Sequence, residues 1–236
     1  MKKLLSVSLA TLAFAAVADY QPITVGVTTI TPTTQNAIIP VPYTKIGSSA
    51  DVSVHDLVKA ANLPDDTMLY YFNGTRYNAW KKDSTGAWTT PDAVATIDSV
   101  AVTAGADEIN VSVGAALWVA FPDGTTPNEQ SIVVYGSPAA TTNSTVDLSQ
   151  INLLSNPTAS TVTGEALATK LSFAEKGDRI RLIAADFSGE YVKAASGWKQ
   201  NTGTGYTDAT LPSIASYQGF WYIPKAGQSG TEEITW

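Results

Sequence analysis

Acid–base and nucleophilic catalysis need side chains that ionise near neutral pH, and this chain is poor in them. His55 is the only histidine among 236 residues, and cysteine is absent. A Ser-His-Asp triad or a histidine metal cluster would have to be built around that one imidazole. His55 lies between Val54 and Asp56 in the first turn of a short amphipathic segment, a position that reads as an ordinary surface histidine. No G-x-S-x-G elbow, Walker loop or G-x-G-x-x-G fingerprint occurs. Two carboxylates can hydrolyse glycosides without histidine, and the pairs on offer are Asp65 with Asp66, Asp107 with Glu108, Asp123 with Glu129, and Glu232 with Glu233. Neighbouring strand residues point to opposite faces, and most of these pairs sit in turn-forming sequence. A carboxylate-dependent hydrolase is therefore a remote alternative. Without EF-hand spacing, no metal site and no cofactor are expected.

Aromatic side chains are the other chemical resource. Six tryptophans and ten tyrosines could offer flat platforms to sugar rings. Trp80, Trp118, Trp198 and Trp221 fall at positions that echo one another along the chain, which reads as core. Trp88, Tyr206, Tyr217 and Tyr222 lie outside the best-matched pairs or on the opposite strand face. They are the candidate ligand-binding residues of a carbohydrate-binding module.

The echo is a weak internal repeat. The run from Ala50 to Val58, followed by Asp65 to Tyr71, is matched about 110 residues later by Thr161 to Leu167 followed by Lys176 to Leu182. Tyr77 to Lys81 is echoed by Tyr191 with Gly197-Trp198-Lys199, and Gly114 to Val119 by Gln218 to Tyr222. The pattern predicts a duplicated unit, residues 19–135 and 146–236, joined by a small polar linker at 136–145.

The elements that must carry these residues are mostly strands. Ile23, Val25 and Val27 alternate with Thr24, Gly26 and Thr28, the period-two signature of a half-buried strand. Asn73-Gly74 predicts a two-residue hairpin turn that pairs Phe72 with Thr75 and Tyr70 with Tyr77, leaving Trp80 near Leu69 on the other face. Val54, Leu57, Val58 and Ala61 have helical spacing with Ser53 as N-cap, and Thr163 caps a second helix that turns Leu167 and Leu171 inward. The expectation is a mainly β, sandwich-like chain of two related halves, each with one short helix.

Lys2 and Lys3, the apolar run Leu4 to Ala15, and Ala16-Val17-Ala18 form the pattern of a secretory signal peptide, residues 1–18. Its removal would take the formal charge from −7 to −9, a balance that disfavours nucleic acid as a partner. No second apolar stretch suits a transmembrane helix. The closing Ile234-Thr235-Trp236 alternates as an outer-membrane barrel strand can, but proline-cut strands elsewhere do not supply a barrel. Together these features point to an exported, non-enzymatic structural or interaction protein of the bacterial surface, extracellular space or periplasm. Its partners would be itself or other surface proteins, with edge-strand pairing at Ser131 to Tyr135 or the C-terminal strand. Glycans are the alternative partner.

Overall fold

Short runs of β-branched and aromatic residues, cut by Gly, Pro and Asp, form strands throughout the chain. A computed structural model describes residues 25–32, 34–58, 63–73, 77–89, 106, 109–139, 142–182 and 189–236. The expected signal peptide at 1–18 and the Asp107–Glu108 pair lie outside the described residues. In chain order the first elements are β1 (Gly26–Ile30), β2 (Asn36–Pro40), β3 (Tyr43–Thr44), β4 (Val52–Ser53), α1 (Val54–Val58), β5 (Met68–Phe72), β6 (Tyr77–Lys82), β7 (Trp88–Thr89), β8 (Asn110–Val111), β9 (Ala116–Ala120) and β10 (Ile132–Pro138). There follow β11 (Asn143–Asp147), β12 (Asn152–Ser155), α2 (Gly164–Lys170), β13 (Arg179–Leu182), β14 (Glu190–Ala194), β15 (Gly197–Asn201), β16 (Tyr206–Asp208), β17 (Gly219–Ile223) and β18 (Thr231–Thr235). The protein is mainly β, and its strand pairs are antiparallel.

One sheet has the order β2-β9-β5-β6-β7 and another the order β12-β17-β13-β14-β15-β16. Beside the first lies the ribbon β1-β10, extended by β3; beside the second lies the ribbon β11-β18. Two hydrophobic cores result. Ile39, Leu57, Leu69, Trp80, Leu117 and Ile132 fill one; Leu167, Leu171, Ile180, Phe220, Tyr222 and Ile234 fill the other. Each helix is capped as its sequence predicts: Ser53 Oγ accepts the Asp56 N–H, and the Thr163 hydroxyl accepts the Ala166 N–H.

Turn bonds around the two sheets correspond. The Asp66 N–H donates to Lys82 O and the Lys82 N–H to Thr67 O, as Gly177 does to Lys193 and Lys193 to Asp178. Asp66 and Gly177 both have positive φ, and so do Gly114 and Tyr217, whose N–H groups reach Val41 O and Asn156 O.

Several expectations are corrected. The β5–β6 hairpin pairs Phe72 with Tyr77 and Tyr70 with Ala79, not Phe72 with Thr75 and Tyr70 with Tyr77. That register sets Leu69 directly opposite Trp80, both fully buried, and burying this pair outweighs turn propensity. The proposed linker is strand at both ends: Gly136 to Pro138 continue β10 and Asn143 to Thr145 begin β11. Along Ser131 to Tyr135, β1 takes up one side of β10 from Ile132 to Gly136, and β3 pairs only at Ser137 and Pro138.

Strand β1 turns its valines outward and Thr28 inward. The inner side is occupied by Tyr43, whose ring fills the space where a Cβ at Gly26 would lie; its Cβ likewise crowds Gly136, the partner of Gly26. Thr28 Oγ1 then meets the Tyr43 hydroxyl at 2.7 Å. A slot made of two glycines and closed by threonine leaves Val25 and Val27 no inner face to occupy.

The two cores meet along β2, β9 and β12. Ala115 bridges Leu154, the Ser155 N–H donates to Gly114 O at 2.8 Å, and Ser155 Oγ donates to Ala115 O at 2.8 Å. Ile38 rests directly on the backbone of Gly219, where a side chain would collide with it.

Candidate functional site

One unguarded margin among the described residues is the β1 edge. Among the described residues β1 is hydrogen-bonded to β10 alone, so alternate backbone N–H and C=O groups along its other side face outward. Val25 and Val27 are 44% and 61% exposed, and Val27 stands opposite Tyr135 across the ribbon. No charged residue occurs between Asp19 and Lys45. The end of β1 borders a groove of about 590 Å³, walled by Thr29 to Pro32 on one side and Ala215 to Gly219 on the other, with Ala37 and Ile38 of β2 also lining it. Tyr217 lines this groove at φ 60°. Burial pushes the nearby Tyr43 hydroxyl above its ordinary pKa; the bond to Thr28 opposes this shift, and Tyr217 adds to it.

A second feature is a cluster of half-buried rings where the two sheets meet. Tyr70, Phe72, Tyr77 and Trp118 share the face of the first sheet opposite its core, and Trp221 joins them from β17. Ring centroids lie 4.9 Å apart for Phe72 and Tyr77, 5.7 Å for Phe72 and Trp221, and 6.3 Å for Tyr77 with each indole. Phe72–Trp221 and both Tyr77–indole contacts are edge-on, so these rings pack on one another across the junction of the two sheets. Burial raises the pKa of Tyr70 and Tyr77. Across β17 from this cluster, Arg181 Nη2 donates to Glu190 Oε2 at 2.6 Å and Asn201 Nδ2 to Glu190 Oε1 at 3.2 Å. Burial alone would raise the Glu190 carboxyl, but the bonds from Arg181 and Asn201 and the charges of Arg181 and Arg179 outweigh it and hold its pKa below the usual value.

The four tryptophans read as core divide in two. Trp80 and Trp198 are buried, whereas Trp118 and Trp221 are the half-buried indoles of the cluster. The four candidate ligand residues are not gathered in one place. Trp88 lies on the edge strand of the first sheet and packs against its core. Tyr206, 51% exposed, lies on the edge strand of the second sheet. Tyr217 lines the groove beside β1. Tyr222 is a correction: it is fully buried, and its hydroxyl donates to Asp178 Oδ2 at 2.6 Å. Burial first, then this bond, raise its pKa far above that of free tyrosine. Asp178, also buried, accepts in addition from the Glu175 and Lys225 N–H groups and from Gln228 Nε2. Its backbone partners and Tyr222 make it a structural tie, which sequence spacing does not reveal.

Among the described residues the carboxylate pairs do not converge on a cleft. Asp65 and Asp66 face Lys82 and Lys81 in a turn, Glu129 ends a short 3-10 turn, and Glu232 and Glu233 are exposed on β18. Among the described residues no three His, Cys, Asp or Glu side chains group as metal ligands, and no helix is long and apolar enough to cross a membrane. Trp236 donates through Nε1 to Ser144 Oγ. The β1 edge was missed by periodicity; its available signal is the uncharged run before Lys45.

No protein-family model, curated protein or solved structure matches this chain.

Proposed function

We propose that the protein is an exported, non-enzymatic structural or interaction protein of the bacterial surface or extracellular space, and that it assembles with copies of itself by strand pairing at β1. The observation that carries this reading is the open β1 edge with its two exposed valines. Outward backbone groups beside apolar side chains are a template for another extended strand. Acidic copies repel one another over most of their surface, but two uncharged β1 strands meet without that cost. Antiparallel pairing about a two-fold axis would make the contact self-complementary. The lysine-led leader at 1–18, with its Ala16-Val17-Ala18 site, supports export.

We further read the chain as two related sandwich-like halves derived from one β unit. The reading is supported by the two cores, by the matching strand orders, and by the paired turn bonds of Asp66 with Gly177 and Gly114 with Tyr217. In this alignment Trp118 corresponds to Trp221 and Trp88 to Trp198. Trp80 corresponds to Tyr191, since each stands opposite the buried residue of the neighbouring strand, Leu69 and Ile180.

Size-exclusion chromatography with light scattering over a range of concentrations tests the assembly. The chain without residues 1–18 is expected to dimerise or polymerise with concentration, and Val27→Lys to remain monomeric while keeping its circular dichroism. A wild-type protein that stays monomeric at every concentration and captures no surface partner overturns the reading.

A further inference from the structure

We propose that the cleft between β11, β12 and the outer end of β5 binds a single residue of a neutral sugar. This site is separate from the β1 edge and from the four aromatic candidates read from the sequence. The cleft holds about 250 Å³, small for a drug-sized ligand and suited to one pyranose ring. Its walls combine an apolar side, Phe72 with Ile151 and Leu153, with a polar side made of carboxamides and hydroxyls. A sugar presents the matching pair of surfaces, C–H groups on one face and hydroxyls around the rim.

Charge narrows the ligand class. Among the described residues Asp147 is the one carboxylate lining the cleft and no lysine or arginine lines it, and Asp147 Oδ1 is already bonded to the Ser149 N–H and hydroxyl. Among the described lining residues a phosphate or carboxylate finds no cation, and a divalent metal finds a single carboxylate. Neutral hydrogen-bonding ligands remain.

The walls are also fixed before any ligand arrives. Asn152 Oδ1 accepts the Asp147 N–H at 2.9 Å, while its Nδ2 donates to Asp147 O and Gln150 O at 2.9 and 2.8 Å. This locks the 147–152 turn and directs Gln150 into the lining. Ser144 is held between the Trp236 indole and Gly114. Among the described residues the Gln150 carboxamide and the Thr145 hydroxyl make no hydrogen bond, so both groups stay available to a ligand. A rigid cleft with spare neutral donors and acceptors loses little entropy on binding.

Saturation-transfer NMR and calorimetry with methyl β-glucoside, methyl β-galactoside and N-acetylglucosamine test the site, with glycerol and inorganic phosphate as controls. At least one of the three sugars is expected to bind. Gln150→Ala should weaken it about tenfold, the worth of one or two net hydrogen bonds. Thr145→Trp, at an exposed strand position, should fill the cleft and abolish binding. Val27→Lys should leave binding unchanged, which separates this site from the assembly reading. Failure of all three sugars, equal binding of phosphate or glycerol, or retention of binding by Thr145→Trp in a protein with wild-type circular dichroism overturns the proposal.

Discussion

Strand β1 borders the first core as β18 borders the second: each pairs with one strand, β10 or β11, at the margin of the fold. The solvent-facing residues differ. On β1 they include Val27 beside the exposed Val25; on β18 they include Glu232 and Glu233, with Asn143 Nδ2 reaching Glu233. Charged side chains along an edge oppose further strand addition, and uncharged β-branched ones permit it. On the proposed assembly, β18 would be a closed margin and β1 an open one, and the side chains along each edge would set which.

Deep in the fold the same contrast recurs in the paired turns, and it can be tested there with the largest effect. Thr67 and Asp178 hold matching places, both buried. Thr67 donates one side-chain bond, to Pro64 O, whereas Asp178 accepts from Tyr222, Gln228 and two backbone N–H groups. Removing a shared acceptor strands every donor aimed at it, so Asp178→Ala should cost about 4 kcal/mol and Thr67→Val about 1 kcal/mol in urea unfolding. Equal losses would mean that the two turns are not specialised as described.

At the margins, Glu233→Val would give β18 the character of β1. With two open edges, association should continue past the dimer into longer assemblies, visible as a rising light-scattering mass with concentration. An unchanged mass would break the proposed role of the glutamates.

Titration separates the two faces with a smaller effect. Glu190 has its folded pKa lowered, so its stabilisation is present above the ordinary carboxyl value of 4.5 and is lost as pH falls through the lowered value. Tyr70 and Tyr77 have raised pKa values, so their contribution is present below the ordinary phenol value of 10.0 and is lost as pH rises through the raised ones. Urea midpoints measured against pH should fall at both ends. Glu190→Gln should lessen the acid limb and leave the alkaline limb unchanged, whereas Tyr70→Phe with Tyr77→Phe should lessen the alkaline limb, to which buried Tyr43 and Tyr222 also contribute, and leave the acid limb unchanged.

Local signals were legible in the sequence where one segment decides its own conformation. Ser53 and Thr163 cap helices because a short oxygen before an apolar helical stripe has few other uses, and Leu167 and Leu171 face inward as their spacing demands. The β-rich character and the Leu69–Trp80 neighbourhood were readable for the same reason. Illegible features depend on distant partners. Alternation in β1 reveals two faces, but only Tyr43, delivered from β3, decides that the valines face out. Tyr222 resembled a contact residue until Asp178, far off in sequence, gave its hydroxyl a buried acceptor. The sugar cleft draws on β5, β11 and the 147–152 turn, and no single window of sequence contains it.

Where Ile38 sits on the bare backbone of Gly219, the two cores approach as closely as a missing methyl group allows. Such a joint has almost no travel: rotating one core against the other would drive the isoleucine into the main chain. In any filament made from this protein, that contact would leave compliance to the junctions between subunits.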